Sequence, residues 1–387
     1  MSKYPVINEE EDFIIIHAPV SAVMLTDYDS HAWTAFSDET LKKVAEKKKQ
    51  AKQNPKMFDG PLARVNNITV KDGIVGLDTQ RTSFFPFVES RDNDTGNREQ
   101  IKPEPDCANP LSVGALTINM DAGIPKFWLG VKSDANEIGA DQKQLSPAGY
   151  VNPVEDFSHM HATLREAFEE MLYLRGNPDA ETLNTIKVKL ESMLKRSGLE
   201  KLMKGQVHDL QTSIEAMANI EYERTGERMD MTSTMRFANS IYDSLIRVIS
   251  KQMLTPYYRE PLEVGSKLVY QQPFAIIDRY QLRNPWVLHI VGLDMKDHEI
   301  QESLKAQHIM FNVLGKEWGI SKPEFTSLEP VRLEKAYVQD WYAENLPNLR
   351  PHARGSIQAL LNEFDYVEAR ISQAFEVNEK LKAMPNL

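Results

Sequence analysis

The sequence has little cysteine, no excess of basic charge and no long apolar run. Its 387 residues include one cysteine, Cys107, which excludes an intramolecular disulfide framework and a cysteine-based zinc site. The formal net charge of −11 argues against general nucleic-acid binding, which requires a field of lysine and arginine. No stretch is long and apolar enough to span a membrane, and the N-terminus lacks a signal-peptide pattern. We therefore expect a cytoplasmic protein without membrane segments.

The composition is otherwise that of a globular protein, with 41% apolar and 26% charged residues. The chain is longer than one hydrophobic core usually supports, which predicts two structural units. A polar stretch at residues 89–106 is the expected boundary. We predict a small β-rich N-terminal domain with one helix at residues 1–105 and a larger domain at residues 106–387. Helical periodicity predicts a large helical insertion in the second domain, at about residues 179–256.

Local patterns predict the individual elements. Ser37, followed by two acidic residues, is a typical helix N-cap. Asp121-Ala122-Gly123 is a turn signal between two apolar runs, which predicts a hairpin over residues 111–131. The other predicted strands cover residues 13–17, 68–70, 74–77, 267–270, 274–277 and 286–293. The other predicted helices cover residues 161–175, 300–318, 329–342 and 353–381.

Three glutamates lie close together on the predicted helix at residues 161–175. Glu166 is three positions before Glu169 and four before Glu170, so the three carboxylates converge on one helix edge. Carboxylates this close repel each other unless a cation neutralises them. Magnesium prefers oxygen ligands, is held by a few carboxylates and completes its shell with water and phosphate oxygens. The pattern indicates metal-dependent attack of water on phosphorus.

The segment that contains these glutamates resembles the Nudix box. That box reads glycine, five residues, glutamate, seven residues, Arg-Glu, an aliphatic residue, any residue, Glu-Glu, any residue, glycine and an aliphatic residue. Residues 149–173 follow this pattern in part. Six residues match it: Gly149, Glu155, Arg165, Glu166, Glu169 and Glu170.

The resemblance implies a Nudix fold of the α/β (α+β) class, an α/β/α sandwich around a mixed sheet. It implies a catalytic site that binds Mg²⁺ or Mn²⁺, with the Gly149 carbonyl as an additional metal ligand. It also implies that Glu155 is a structural partner of Arg165. The implied reaction is hydrolysis of a nucleoside diphosphate linked to another moiety, such as a nucleotide sugar. The implied metal ligands and catalytic residues are Glu166, Glu169 and Glu170.

Two features depart from the box. Nine residues, rather than seven, separate Glu155 from Arg165, and Leu172 stands where the box has glycine. The helix is therefore expected to continue toward Gly176. These departures and the long insertion favour a second interpretation, a Nudix-fold module that binds a nucleotide derivative without turnover. A solvated acidic helix that binds no metal is the third interpretation.

Other candidate groups are less determined. His159 and His161 lie near carboxylates, but no second ligand follows at a zinc-site spacing, so we expect them at a loop or helix start. The apolar face of the insertion needs a partner surface, which a lid or a homodimer interface would provide. Three arginines suit phosphate recognition, although each is more often structural: Arg64, Arg81 and Arg91. The candidates for a general base are Glu170, Asp294 and Asp297.

Overall fold

The structure of the protein is a computed structural model. It describes residues 6–9, 13–17, 23–25, 35–51, 59–71, 74–91, 93, 106–133, 141–153, 156, 159, 162, 163, 166, 170, 268–278, 284–310 and 323–383. The predicted insertion at about residues 179–256 and most of the predicted helix at residues 161–175 lie outside these residues.

The chain forms strands and helices in the following order. The strands are β1 (Val6–Glu9), β2 (Phe13–His17), β3 (Val23–Leu25), β4 (Pro61–Lys71), β5 (Ile74–Ser83), β6 (Ser112–Asp121), β7 (Ile124–Lys132), β8 (Lys143–Leu145), β9 (Ala148–Tyr150), β10 (Leu268–Asp278), β11 (Pro285–Leu293) and β12 (Phe325–Arg332). The α-helical segments with defined bounds are α1 (Asp38–Ala51), α2 (Phe84–Ser90), α3 (Asp297–Met310), α4 (Lys335–Asn345), α5 (Pro351–Asn362) and α6 (Phe364–Ala383).

Nine of these strands form one mixed sheet. Its main path is β1-β2-β10-β11-β6-β7-β12, with β8 beside β7 and β9 beside β6. Strands β11 and β6 run parallel, and the other pairs in this sheet are antiparallel. The hairpin β6-β7 turns at Ala122 and Gly123, whose φ angles are 51° and 77°. Two consecutive positive φ values are typical of a type I′ turn, so the predicted hairpin is confirmed.

A second sheet has the order β3-β5-β4. Helix α1 begins where the sequence predicts, since the Thr40 amide donates to the Ser37 hydroxyl over 3.3 Å. The small sheet is attached to the large one through main-chain hydrogen bonds of Ala63, which donates to Val151 and accepts from Leu111. Helix α2 follows β5 directly and was not predicted.

The predicted boundary near residue 105 does not separate the two sheets. Strands β1 and β2 lie before it, yet β2 pairs with β10 and thereby extends the nine-stranded sheet. Residues 1–105 therefore contribute to both sheets. The division into two domains stays a prediction.

Each face of the large sheet has its own apolar cluster. On one face, Leu288 and Ile290 of β11 pack with helices α4, α5 and α6. On the opposite face, Val287 of β11 packs with the small sheet and with Ala162, a helical residue of the Nudix-like segment. Both faces are thus covered. The fold is mixed α and β, as predicted, whereas the specific Nudix arrangement stays a prediction.

The start of one helix predicted near the C-terminus is wrong, and the helical stretch predicted at residues 353–381 is confirmed with one break. Residues 325–332 form strand β12, so the helix predicted at residues 329–342 begins only at Lys335. Pairing with β7 decides the conformation of this segment. The helix predicted at residues 353–381 is two helices, α5 and α6, which are separated at Glu363. No helix in the described part of the chain has the length and apolarity required to cross a membrane.

Candidate functional site

Five described residues of the Nudix-like segment have helical backbone and stand at positions that share one side of an α-helix. Ala162, Thr163, Glu166 and Glu170 follow His159 by 3, 4, 7 and 11 positions, spacings that return to the same side of an α-helix. We call these five residues the box stripe. Ala162, Thr163 and Glu170 are all buried, Glu170 at 4% exposure, so the stripe faces the sheet. A fully solvated acidic helix is therefore not what the described residues form.

Glu166 lies against Gly149 of β9. A Cβ atom placed on Gly149 would overlap the carboxyl group of Glu166. Gly149 lies in extended backbone and pairs with Val113 of β6, so glycine is needed for close approach rather than for an unusual φ angle. The predicted glycine and one predicted ligand are thereby brought together.

Glu170 is bound to the neighbouring residue of the same strand. Its Oε2 atom accepts a hydrogen bond from the Ala148 amide over 3.0 Å. Burial raises the pKa of Glu170 well above its usual value, and the negative charges of Glu324 and Glu166 raise this pKa further. The charge of Lys132 and the Ala148 amide act in the opposite direction. Two predicted ligands thus meet at β9 in a site of negative potential.

Lys132 supplies positive charge to this site. It ends β7, is 6% exposed and forms an ion pair with Glu324, just before β12. Its ammonium group also lies 5.3 Å from the centre of the Phe325 ring. Neither Lys132 nor Glu324 was singled out from the sequence, because each is far from the box along the chain. We call the three glutamates Glu166, Glu170 and Glu324, together with the neighbouring Lys132, the carboxylate cluster.

His159 has a partner that the sequence did not reveal. Its Nδ1 atom lies 3.0 Å from Nε2 of His289, and the two rings stack with centroids 5.0 Å apart. His289 is fully buried in β11. Burial lowers the pKa of His289 well below its usual value, and the charge of His159 lowers it further. His159 was predicted at a loop or a helix start and has helical backbone, whereas His161 lies outside the described residues.

Asp297, a predicted general base, takes part in a different network. Its carboxylate accepts from Asn119 over 2.8 Å and forms an ion pair with Lys126. Asn119 in turn accepts from the indole of Trp128 over 2.8 Å. These bonds attach the start of α3 to β6 and β7. Asp294, another predicted general base, is half-buried just after β11.

The three arginines proposed for phosphate recognition differ in their surroundings. Arg64 is 1% exposed, and its Nε atom donates to the Cys107 carbonyl over 3.0 Å. Burial lowers the pKa of Arg64 to about 10. Arg64 therefore has a structural role, which the sequence predicts more often for these arginines than phosphate binding. Arg81 and Arg91 are half-buried in β5 and after α2.

Three predicted site residues lie outside the described residues: Glu155, Arg165 and Glu169. Within the part of the chain that the structure describes, no three histidine, cysteine, aspartate or glutamate side chains are gathered closely enough to hold a metal ion. The described geometry thus contains two of the three predicted carboxylate ligands. No family model matches the sequence, and a comparison with curated proteins finds no match.

Proposed function

We propose that the protein is a Mg²⁺- or Mn²⁺-dependent hydrolase that cleaves the phosphoric anhydride of a nucleoside diphosphate linked to another moiety. Glu166, Glu169 and Glu170 are its proposed metal ligands and catalytic residues. The observation that carries the proposal is the convergence of Glu166 and Glu170 on β9, one against Gly149 and the other on the Ala148 amide. Gly149 begins the box pattern, whereas Glu166 and Glu170 belong to its helical part.

The donor chemistry of the described residues fits a hard divalent ion. Both side chains offer carboxylate oxygens, and the adjacent strand offers main-chain carbonyl groups. Burial and neighbouring negative charge disfavour the ionised form of Glu170, a cost that a dication at the same place would reduce. When bound, such an ion screens phosphate charge and lowers the pKa of a coordinated water molecule. The chain's own contribution is to hold one carboxylate buried and one half-buried against the same strand.

The proposal is tested by product release from nucleotide sugars, dinucleoside polyphosphates and nucleoside triphosphates, with Mg²⁺ or Mn²⁺. We expect metal-dependent turnover that Glu169→Gln and Glu166→Gln abolish. Glu368→Gln, an exposed position of α6, is the matched control and keeps full turnover. Absence of turnover together with absence of metal binding would reject the proposal.

The second candidate is a nucleotide-binding or regulatory module that uses the same surface without turnover. It is favoured by the engagement of Glu170, whose carboxyl group already accepts from the Ala148 amide and lies near Lys132. This candidate predicts that a nucleoside diphosphate derivative raises the melting temperature while no product forms. Turnover that depends on Glu169 would reject it.

A further inference from the structure

The two histidines connect the box stripe to the centre of the large sheet. His289 lies on β11, between β10 and β6, and its register partners on these strands are Pro273 and Ala115. His159 is the first residue of the stripe and is half-buried. Its carbonyl accepts from the Thr163 hydroxyl over 2.8 Å, as expected within a helical turn. The contact between His159 and His289 joins residues that are 130 positions apart.

The same helix row carries His159 at one end and the candidate ligands at the other. Glu166 follows His159 by 7 positions, about two helical turns, and Glu170 follows it by 11 positions, about three turns. His159 is held by β11 and Ala162 is buried in the apolar cluster, so the first turn of the stripe is fixed against the large sheet. A shift of the first turn would be transmitted to both carboxylates.

We propose that His289 is a positioning residue for the candidate metal site, because its imidazole holds His159 and thereby sets where Glu166 and Glu170 meet β9. Its effect on metal affinity rests on the proposed function. Its effect on the placement of the carboxylates does not. Neither imidazole belongs to the proposed ligand set.

Protonation should weaken this contact only in acid. A neutral pair, or a pair with one added proton, keeps a hydrogen bond across the two nitrogens, whereas two imidazolium groups repel each other. Burial and His159 hold the pKa of His289 well below 6.5, so the stabilising effect is complete above that value and is lost as pH falls toward the lowered pKa. Among the described residues, the strands beside His289 place Pro273 and Ala115 in register with it, neither of which titrates, and the nearest acid on the stripe is Glu166.

The first test is hydrogen exchange of the Ala148 amide, which donates a hydrogen bond to Glu170. His289→Leu removes the polar partner of His159, while His289→Gln keeps an amide at a similar reach and does not titrate. We expect exchange on the order of tenfold faster in His289→Leu, the equivalent of one lost hydrogen bond, and within about twofold of wild type in His289→Gln. Ile290→Val, a core change on the opposite face of the same strand, is the control for lost global stability. Equal exchange in His289→Leu and in Ile290→Val would overturn the proposal.

The second test is calorimetric titration with Mn²⁺ alone between about pH 5 and pH 8. We expect His289→Leu to weaken Mn²⁺ binding at every pH, and His289→Gln to match wild type at neutral pH but to lose less affinity in acid. Identical affinities in all three proteins would overturn the positioning role. If wild type binds no Mn²⁺ while the Ala148 amide still responds to His289→Leu, the metal-site proposal fails and the positioning of the carboxylates stands. If His289→Leu does not fold, His159→Gln and His159→Leu test the contact from its half-buried side.

Discussion

The carboxyl group of Glu166 occupies the space in which a side chain at position 149 would begin. Gly149→Ala should therefore displace this carboxyl group from β9. Because the displaced atoms are the end of a flexible side chain, the loss of stability should stay near the lower end of the range of about 1 to 3 kcal/mol for overpacking. Metal affinity should fall by at least about tenfold, measured by titration with Mn²⁺.

Gly123→Ala is the control for that substitution. Gly123 has a φ angle of 77° and no atom near its missing Cβ, so alanine strains the backbone without touching Glu166. We expect a loss of stability of about 1 kcal/mol and unchanged metal affinity. Equal metal affinity in both alanine variants would contradict a role for Gly149 beside the ligands.

Glu170→Gln should stabilise the metal-free protein at alkaline pH. The pKa of Glu170 is raised in the folded state above its usual value of 4.5, so folding is progressively disfavoured as pH rises through that raised pKa. Glutamine keeps an oxygen that can accept from Ala148 but carries no charge. Urea unfolding at about pH 5 and pH 8 should show a gain over wild type that is larger at pH 8. A variant that is less stable than wild type at pH 8 would rule out this account of the buried carboxyl group.

Lys132→Met should destabilise the protein at neutral pH. The substitution removes the cation next to Glu324 and Glu170 and leaves their charges less compensated. We expect a loss of about 1 to 3 kcal/mol, less than for a fully buried pair because the Glu324 side chain is 43% exposed. Denaturant unfolding checks this value. The control is Lys335→Met, which breaks an exposed ion pair with Asp365 and should cost less than about 1 kcal/mol.

Asp297→Asn separates a structural role from a role as general base. The carboxylate of Asp297 connects Lys126 and Asn119 at the start of α3. We expect a loss of stability of about 1 to 3 kcal/mol, typical of hydrogen bonds to charged groups, and unchanged Mn²⁺ affinity. Turnover measured at a temperature where the variant is fully folded should remain within about threefold of wild type. A loss of turnover of about a thousandfold would instead identify Asp297 as the base.

The local elements were largely predictable because turns and periodicity depend on adjacent residues. The β6-β7 hairpin follows from Ala122-Gly123, and the start of α1 follows from Ser37. The end of β12 was mistaken for a helix because its conformation depends on pairing with β7, which lies far away along the chain.

The candidate site was predictable only in part. Glycine and glutamates within one short segment can be recognised from their spacing, and the structure brings Gly149, Glu166 and Glu170 together. His289 and Glu324 could not be recognised, since nothing in a single sequence connects them with residues so far away. Their contribution depends on the order of the strands, which places β11 and the start of β12 near the box stripe.

The strand order also has a consequence for synthesis of the protein. Glu166 and Glu170 leave the ribosome well before His289 and Glu324, which lie 119 and 154 positions after Glu170. Until β11 and β12 have been made, Lys132 lacks its partner and the box stripe lacks the strand to which His159 is held. Such late, long-range contacts slow folding and prolong the exposure of unpaired strands. The nascent chain would therefore carry the complete Nudix-like segment, while β10, β11 and the start of β12 are still being made, without the surroundings that hold its carboxylates in place.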